Sequence, residues 1–136
     1  MAMLHHISLG VSDIEKSGAF YDAIMATLGY KRVFTDYRPG EPKQAIGYGL
    51  VEGKDIFTIK ERAMSRLSAG RGFHLAFEAA NQEAVAEFHR VALSLGAVDR
   101  GGPRIFTEFG DDYFAAFVID PDGWQLEAVH RSQANQ

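Results

Sequence analysis

Three side chains in this sequence are of the types from which a metal centre is built: His6, His74 and Glu127. Neutral imidazole and carboxylate donors suit Zn, Mn, Fe and Ni, and two histidines with one carboxylate leave coordination positions open for water or substrate. An ion held this way acts as a Lewis acid toward substrate oxygens, or activates dioxygen if it is redox-active iron. The competing account is three unrelated residues, each satisfied by ordinary hydrogen bonds. Glu127 presses the question hardest. It lies in the largely apolar run WQLEAV, where a carboxylate buried without a partner costs several kcal/mol or is driven neutral.

The elements that must position these residues follow from periodicity. Met3–Val11, MLHHISLGV, alternates as a strand, with His5, Ile7, Leu9 and Val11 on one face and His6, Ser8 and Gly10 on the other. Ser12 to Glu15 has the form of a capping box, which predicts Ser12 as the N-cap of a helix ending before Gly29. Short extended runs follow at Tyr30–Tyr37, Ala45–Val51 and Asp55–Lys60. Glu61–Arg71 is charged, small and glycine-flanked, and is expected to link two halves.

The order then repeats. Gly72–Ala79 is a strand with His74, Ala76 and Glu78 on one face, and Asn81 is the expected N-cap of a helix ending before Gly96. A looser stretch, with one strand expected around Arg104–Phe109, leads to Tyr113–Val129. Asp120-Pro121-Asp122-Gly123 marks the turn of that closing hairpin. Strand, helix, three strands, twice over, is an internal duplication, and it sets His6 and His74 at equivalent positions. That equivalence, with a carboxylate besides, favours the metal account over three separate residues.

Other residues carry weaker signals. Tyr48 lies between two glycines, Lys60 ends a strand, Tyr113 opens the hairpin, and Gln125 shares a strand face with Glu127; each is a candidate to line a pocket, as is Thr58. Lys60 would suit an anionic substrate, although a solvated strand-end lysine explains it as well. His89 and His130 match no donor position and are expected to face solvent. Gly70-Arg71-Gly72 opens like a phosphate loop but lacks a third glycine and enters a strand. No nucleophile-elbow motif is present.

Composition narrows the class. The chain has 136 residues, 46% of them hydrophobic and 24% charged, which suits one domain with a real core. The absence of cysteine excludes disulfides, thiolate ligands and cysteine nucleophiles. A net charge of −4 with dispersed Lys and Arg argues against nucleic acid as a partner. Apolar runs fall short of the roughly 18–20 residues that cross a membrane, and the N-terminus lacks the pattern of a signal peptide. A cytoplasmic protein is expected.

The segments HISLGVSDIEKSGAFYDAIMATLGY, HLAFEA and DPDGWQLEA resemble the vicinal oxygen chelate superfamily, which includes glyoxalase I, bleomycin-resistance proteins and extradiol dioxygenases. The resemblance covers nearly the whole chain. It implies an α+β fold in which two βαβββ modules, residues 1–62 and 72–132 joined by 63–71, form an open, cup-shaped mixed sheet. It also implies one divalent ion per site, held by His6, His74 and Glu127, and a small substrate bound through neighbouring oxygens. His5 matches no ligand position. The reaction would be of lyase, isomerase, thiol-transferase or dioxygenase type, with no general base assigned. The alternative is a metal-free, drug-binding protein of the bleomycin-resistance kind.

Glyoxalase I takes a further glutamate from the last strand of its first module. The corresponding position here falls at or near Thr58, which implies that glyoxalase I turnover is negligible. Paired modules occur in the superfamily both within one chain and between two. The short hydrophilic link favours a homodimer, with His6 from one chain and His74 and Glu127 from the other.

Overall fold

A computed structural model describes residues 3–38, 41, 44–63 and 72–132. The chain divides into two compact units, Met1–Ser68 and Ala69–Gln136. Residues 64–71, most of the expected link, lie outside the described residues.

The first unit runs β1 (Ile7–Val11), α1 (Ile14–Thr27), β2 (Lys31–Asp36), β3 (Ala45–Gly49) and β4 (Phe57–Glu61). Its sheet has the order β1-β4-β3-β2, with β1 parallel to β4 and the other pairs antiparallel. Register assigns the two faces. Leu9 pairs with Ile59, which pairs with Ile46, and Phe57 pairs with Tyr48. These residues are buried together with Phe20, Tyr21, Ile24 and Met25 of α1, each contributing roughly 1.5–3 kcal/mol of apolar burial. The opposite face carries two rows. Ser8, Thr58, Gly47 and Phe34 form one, and Gly10, Lys60, Ala45 and Asp36 the other.

The second unit runs β5 (Leu75–Glu78), α2 (Gln82–Ser94), β6 (Val98–Asp99), β7 (Arg104–Ile105), β8 (Tyr113–Ile119) and β9 (Gln125–Arg131). β5 is parallel to β9, β9 is antiparallel to β8, and both β6 and β7 pair with β8. The topology of the first unit is therefore repeated, with its outer strand β2 replaced by two short pieces. The expected single strand at Arg104–Phe109 is shorter, Arg104–Ile105, and β6 had no counterpart in the expectation. Phe88 and Val85 of α2 are buried with Leu126, Ala128 and Val118 of the sheet.

Local chemistry explains the boundaries. Asp13, not Ser12, caps α1: its Oδ1 accepts the amides of Glu15 and Lys16, each at 3.1 Å. Asn81 caps α2 in the equivalent place, accepting the Ala84 amide at 2.8 Å. An Asp or Asn oxygen satisfies a first-turn amide that has no partner within the helix. The hairpin turn forms at Asp120, whose Oδ1 accepts the amides of Asp122 and Trp124. Gly123 closes it at φ 97, a conformation open to glycine without a Cβ clash.

The first strand is shorter than expected. β1 begins at Ile7, so His5 and His6 precede it, and β5 begins at Leu75, just after His74. Histidines 6 and 74 thus keep equivalent places, each one residue before the first strand of its unit.

Candidate functional site

In the second unit the site is built on β9. Glu127 pairs with Ala76 of β5 on one side and Phe117 of β8 on the other. Its residue is 1% exposed, and both carboxylate oxygens are engaged. Oε1 lies 3.0 Å from Nε2 of His74, and Oε2 accepts the Tyr113 hydroxyl at 2.5 Å. This is the partner that a carboxylate in an apolar strand requires. The His74 side chain is 49% exposed, so one side of the pair opens to solvent.

Tyr113 stands four residues from Phe117 along β8 and reaches Glu127 through the length of its side chain. Burial first, and then the Glu127 hydrogen bond, push its phenol up to about 12, so at neutral pH it remains a donor. Its ring lies 5.5 Å from the guanidinium carbon of Arg131, which Asp112 holds through hydrogen bonds from Nε and Nη2. Sequence reasoning placed Tyr113 at the rim of a pocket. Its bond to Glu127 left no sequence signal, because the side chain crosses rows that register keeps apart.

In the first unit, Thr58 pairs with Ser8 as Glu127 pairs with Ala76. Ser8 and Ala76 each stand two residues beyond the equivalent histidine, so Thr58 occupies the place that Glu127 takes in the second unit. It is 3% exposed and donates its hydroxyl to the Asp55 carboxylate. Asp55 lies over Gly47, where a Cβ would stand 2.6 Å from the Asp55 Cβ. A carboxylate is therefore present beside Thr58, supplied by the turn before β4. Sequence reasoning did not identify it.

The same face bounds a cavity of about 340 Å³. His6 just before β1, Ser8 of β1, and Thr58 and Lys60 of β4 line it, and Phe34, Asp36, Asp55 and Arg62 stand around them. His6 is exposed, and its Nδ1 lies 2.9 Å from Nδ1 of His5, with the rings edge to face. The expectation that strand alternation turns His5 away from His6 is corrected. Both lie before the strand, where alternation does not act.

Three further expectations change. Tyr48 is on the helix side, fully buried, with its hydroxyl donating to Asp22 of α1 at 2.9 Å and lying 3.3 Å from the Gly18 carbonyl oxygen. Burial and the Asp22 carboxylate raise its pKa. It is a core residue and does not line the cavity. His89 does not face solvent: it is 9% exposed, with Nε2 3.0 Å from Asp99. His130 is half-buried, with Nδ1 3.1 Å from the Ala79 carbonyl oxygen. Gln125 is exposed on β9.

Within either unit taken alone, no three His, Asp or Glu side chains among the described residues gather as a metal site. The second unit brings two expected donors, His74 and Glu127, to 3.0 Å. Bonds of about 2.1 Å place adjacent ligands of one ion about 3 Å apart. Tyr113 supplies the outer hydrogen bond that ligating carboxylates commonly receive. The pair fits a divalent ion in both chemistry and spacing.

Comparison with known proteins gives a consistent picture. A family model described as Glyoxalase/Bleomycin resistance protein/Dioxygenase superfamily matches residues 3–128. The uncharacterized protein YqjT of Bacillus subtilis is 30% identical over 128 residues, 93% of this chain and 97% of that protein. A crystal structure of a glyoxalase/bleomycin resistance protein from Albidiferax ferrireducens superposes with a TM-score of 0.76 at 27% identity, covering 96% of this chain and 100% of that one. A mutant of the fosfomycin resistance protein FosX from Listeria monocytogenes, complexed with Mn(II) and 1S,2S-dihydroxypropylphosphonic acid, shares the fold. Its TM-score is 0.66 at 18% identity, with 98% and 94% of the two chains covered.

Proposed function

The chain belongs to the Glyoxalase/Bleomycin resistance protein/Dioxygenase superfamily, and from that premise we propose that it is a metal-dependent enzyme acting on a small substrate that presents neighbouring oxygens. The observation that carries this reading is the buried Glu127 carboxylate, paired with His74 at 3.0 Å and held from behind by Tyr113. His74 and Glu127 would hold the ion together with His6, the repeat equivalent of His74. When bound, a divalent ion supplies Lewis acidity at the substrate oxygens, or dioxygen chemistry if it is iron. Mn(II) in the FosX complex supports Mn as a candidate ion here, with Zn, Fe and Ni as the others suited to imidazole and carboxylate donors.

The chain's own groups divide the work. Tyr113 fixes the rotamer of Glu127 and leaves the other oxygen turned toward His74. Thr58 offers no carboxylate where glyoxalase I has one, so turnover of a glutathione hemithioacetal should be negligible. Lyase, isomerase, thiol-transfer and dioxygenase chemistry are the fitting reaction types.

The rival reading is a metal-free, drug-binding protein, in which His74, Glu127 and Tyr113 would serve one another only as hydrogen-bond partners. Metal analysis of protein purified without chelators separates the two. The enzymatic reading expects one ion per chain, lost in Glu127→Ala. Protein that neither carries nor takes up Zn, Mn, Fe or Ni would overturn it.

Donors drawn from two units can meet within one chain or between two. The assembly proposed is a homodimer with His6 of one chain joined by His74 and Glu127 of its partner. Refolding His6→Ala and Glu127→Ala chains together should restore up to half of the metal sites in mixed dimers. Mixed dimers with none restored would place each site within a single chain.

A further inference from the structure

We infer that the open face of the first unit carries an anion subsite, in which Lys60 and Arg62 hold a carboxylate group of the ligand. The inference starts from register. Lys60 pairs with Gly10 on one side and Ala45 on the other. Glycine offers no side chain and alanine a single methyl, so the neighbours across both strands leave the lysine uncovered. It projects into the cavity of about 340 Å³ with Arg62, next but one along the chain, and with the Ser8 hydroxyl from the adjoining row.

Two cations and two carboxylates line that cavity, and they are not paired with one another. Asp36 is already held by Arg38, with Nε 3.1 Å from Oδ1 and Nη2 3.3 Å from Oδ2. Asp55 accepts the Thr58 hydroxyl. Arg38, outside the lining, also lies 3.9 Å from Glu41. Every Asp and Glu of the chain lies among the described residues, and none forms an ion pair with Lys60 or Arg62. Arg62 gives one N–H to the Glu61 carbonyl oxygen at 2.7 Å, and among the described residues its remaining donors have no ion-pair partner.

The duplicated unit provides an internal control. The position equivalent to Lys60 is Val129, paired with Glu78 and Ala115. The position equivalent to Arg62 is Arg131, which Asp112 neutralises at 2.9 Å. One unit therefore pairs its cation with a carboxylate, and the other leaves Lys60 and Arg62 without such a partner among the described residues, above small neighbours. A partly enclosed lysine and a guanidinium side by side are suited to an oxyanion. Phe34, 43% exposed on the same face, offers an apolar surface to the rest of the ligand. The ligand class is thus a carboxylic acid with a small apolar or aromatic body. The inference rests on the enzymatic reading only in making that acid the substrate.

The test uses the full chain, metal-free and Zn-loaded, with phenylacetate as probe and its neutral isostere phenylacetamide as control. A fragment of this size should bind with a Kd of about 1–10 mM, read as amide shifts along β4 in nuclear magnetic resonance titrations. Phenylacetate should shift β4 and phenylacetamide should not. Lys60→Met should weaken phenylacetate by roughly tenfold or more, Lys60→Arg should retain it, and both variants should take up Zn as the parent chain does. Equal binding of the amide, undiminished binding by Lys60→Met, or no response to phenylacetate would each overturn the subsite. Lys60-dependent binding in a chain that takes up no metal would leave the subsite standing and remove the enzymatic reading instead.

Discussion

The two units of this chain share a topology and differ at the residues that could do chemistry. Where β4 has Thr58, Lys60 and the following Arg62, β9 has Glu127, Val129 and Arg131. Where β3 sets Gly47 across from Thr58, β8 sets Phe117 across from Glu127. The second unit thus buries a carboxylate beneath an aromatic and satisfies it with His74 and Tyr113. The first unit leaves that row shallow, fills the gap above Gly47 with Asp55, and leaves Lys60 and Arg62 without an ion pair among the described residues. Duplication preserved the apolar register that makes each sheet fold against its helix. The open face had no such constraint, and there the units diverged in the side chains they present.

The largest expected effect comes from erasing that difference at one position. Glu127→Thr gives the second unit the residue of the first, and metal affinity should fall by more than about 100-fold, beyond the loss usual for an outer hydrogen-bond partner. Uptake unchanged in a titration would show that Glu127 holds no ion. Tyr113→Phe tests the support behind it. Losing the hydroxyl should weaken metal binding about 10–100-fold while ion stoichiometry at saturation stays the same, and parent-like affinity would deny Tyr113 a positioning role.

The third prediction concerns the shallow row. Gly47→Ala puts a Cβ 2.6 Å from that of Asp55, and should cost about 1–3 kcal/mol in urea denaturation, although the equivalent position in β8 accepts a phenylalanine. Unchanged stability would mean that the Asp55 turn is not fixed against Gly47.

The smallest effect distinguishes how the helices are anchored. α1 is tied to β2 by Asp22 and Arg32 at 2.8 Å, and α2 to β6 by His89 and Asp99 at 3.0 Å. The His89 hydrogen bond, followed by the Gly101 amide, holds the Asp99 carboxyl below its ordinary range. A carboxyl with a depressed folded-state pKa contributes stability above its unfolded value, and that contribution is lost as pH falls through the folded value. Asp99→Asn should therefore lower the thermal midpoint slightly at pH 5–7, with the gap to the parent chain closing below about pH 4. A gap that persists in acid would assign the effect to packing.

Much of this architecture follows from the sequence by itself. Alternation at Leu9, Val11, Phe77 and Leu126, glycines after both helices, and the Asp-Pro-Asp-Gly turn determine the order of elements and the duplication, because each is a local preference acting over a few residues. The same reasoning placed His6 and His74 at equivalent positions, and the family resemblance identified Thr58 as the counterpart of a missing glutamate. Local reasoning reached its limit at ends and reaches. It extended β1 over His5 and His6, although the strand begins only where β4 supplies hydrogen-bond partners. It chose Ser12 over Asp13 as cap, since both are good N-cap residues and backbone geometry selects between them. Only the tertiary structure brought the Tyr113 hydroxyl to Glu127, set Asp55 over Gly47, sealed His89 against Asp99, and left Lys60 standing between Gly10 and Ala45. These depend on which residues meet across strands distant in sequence, and on which charges are already paired there, quantities that no window of local sequence contains.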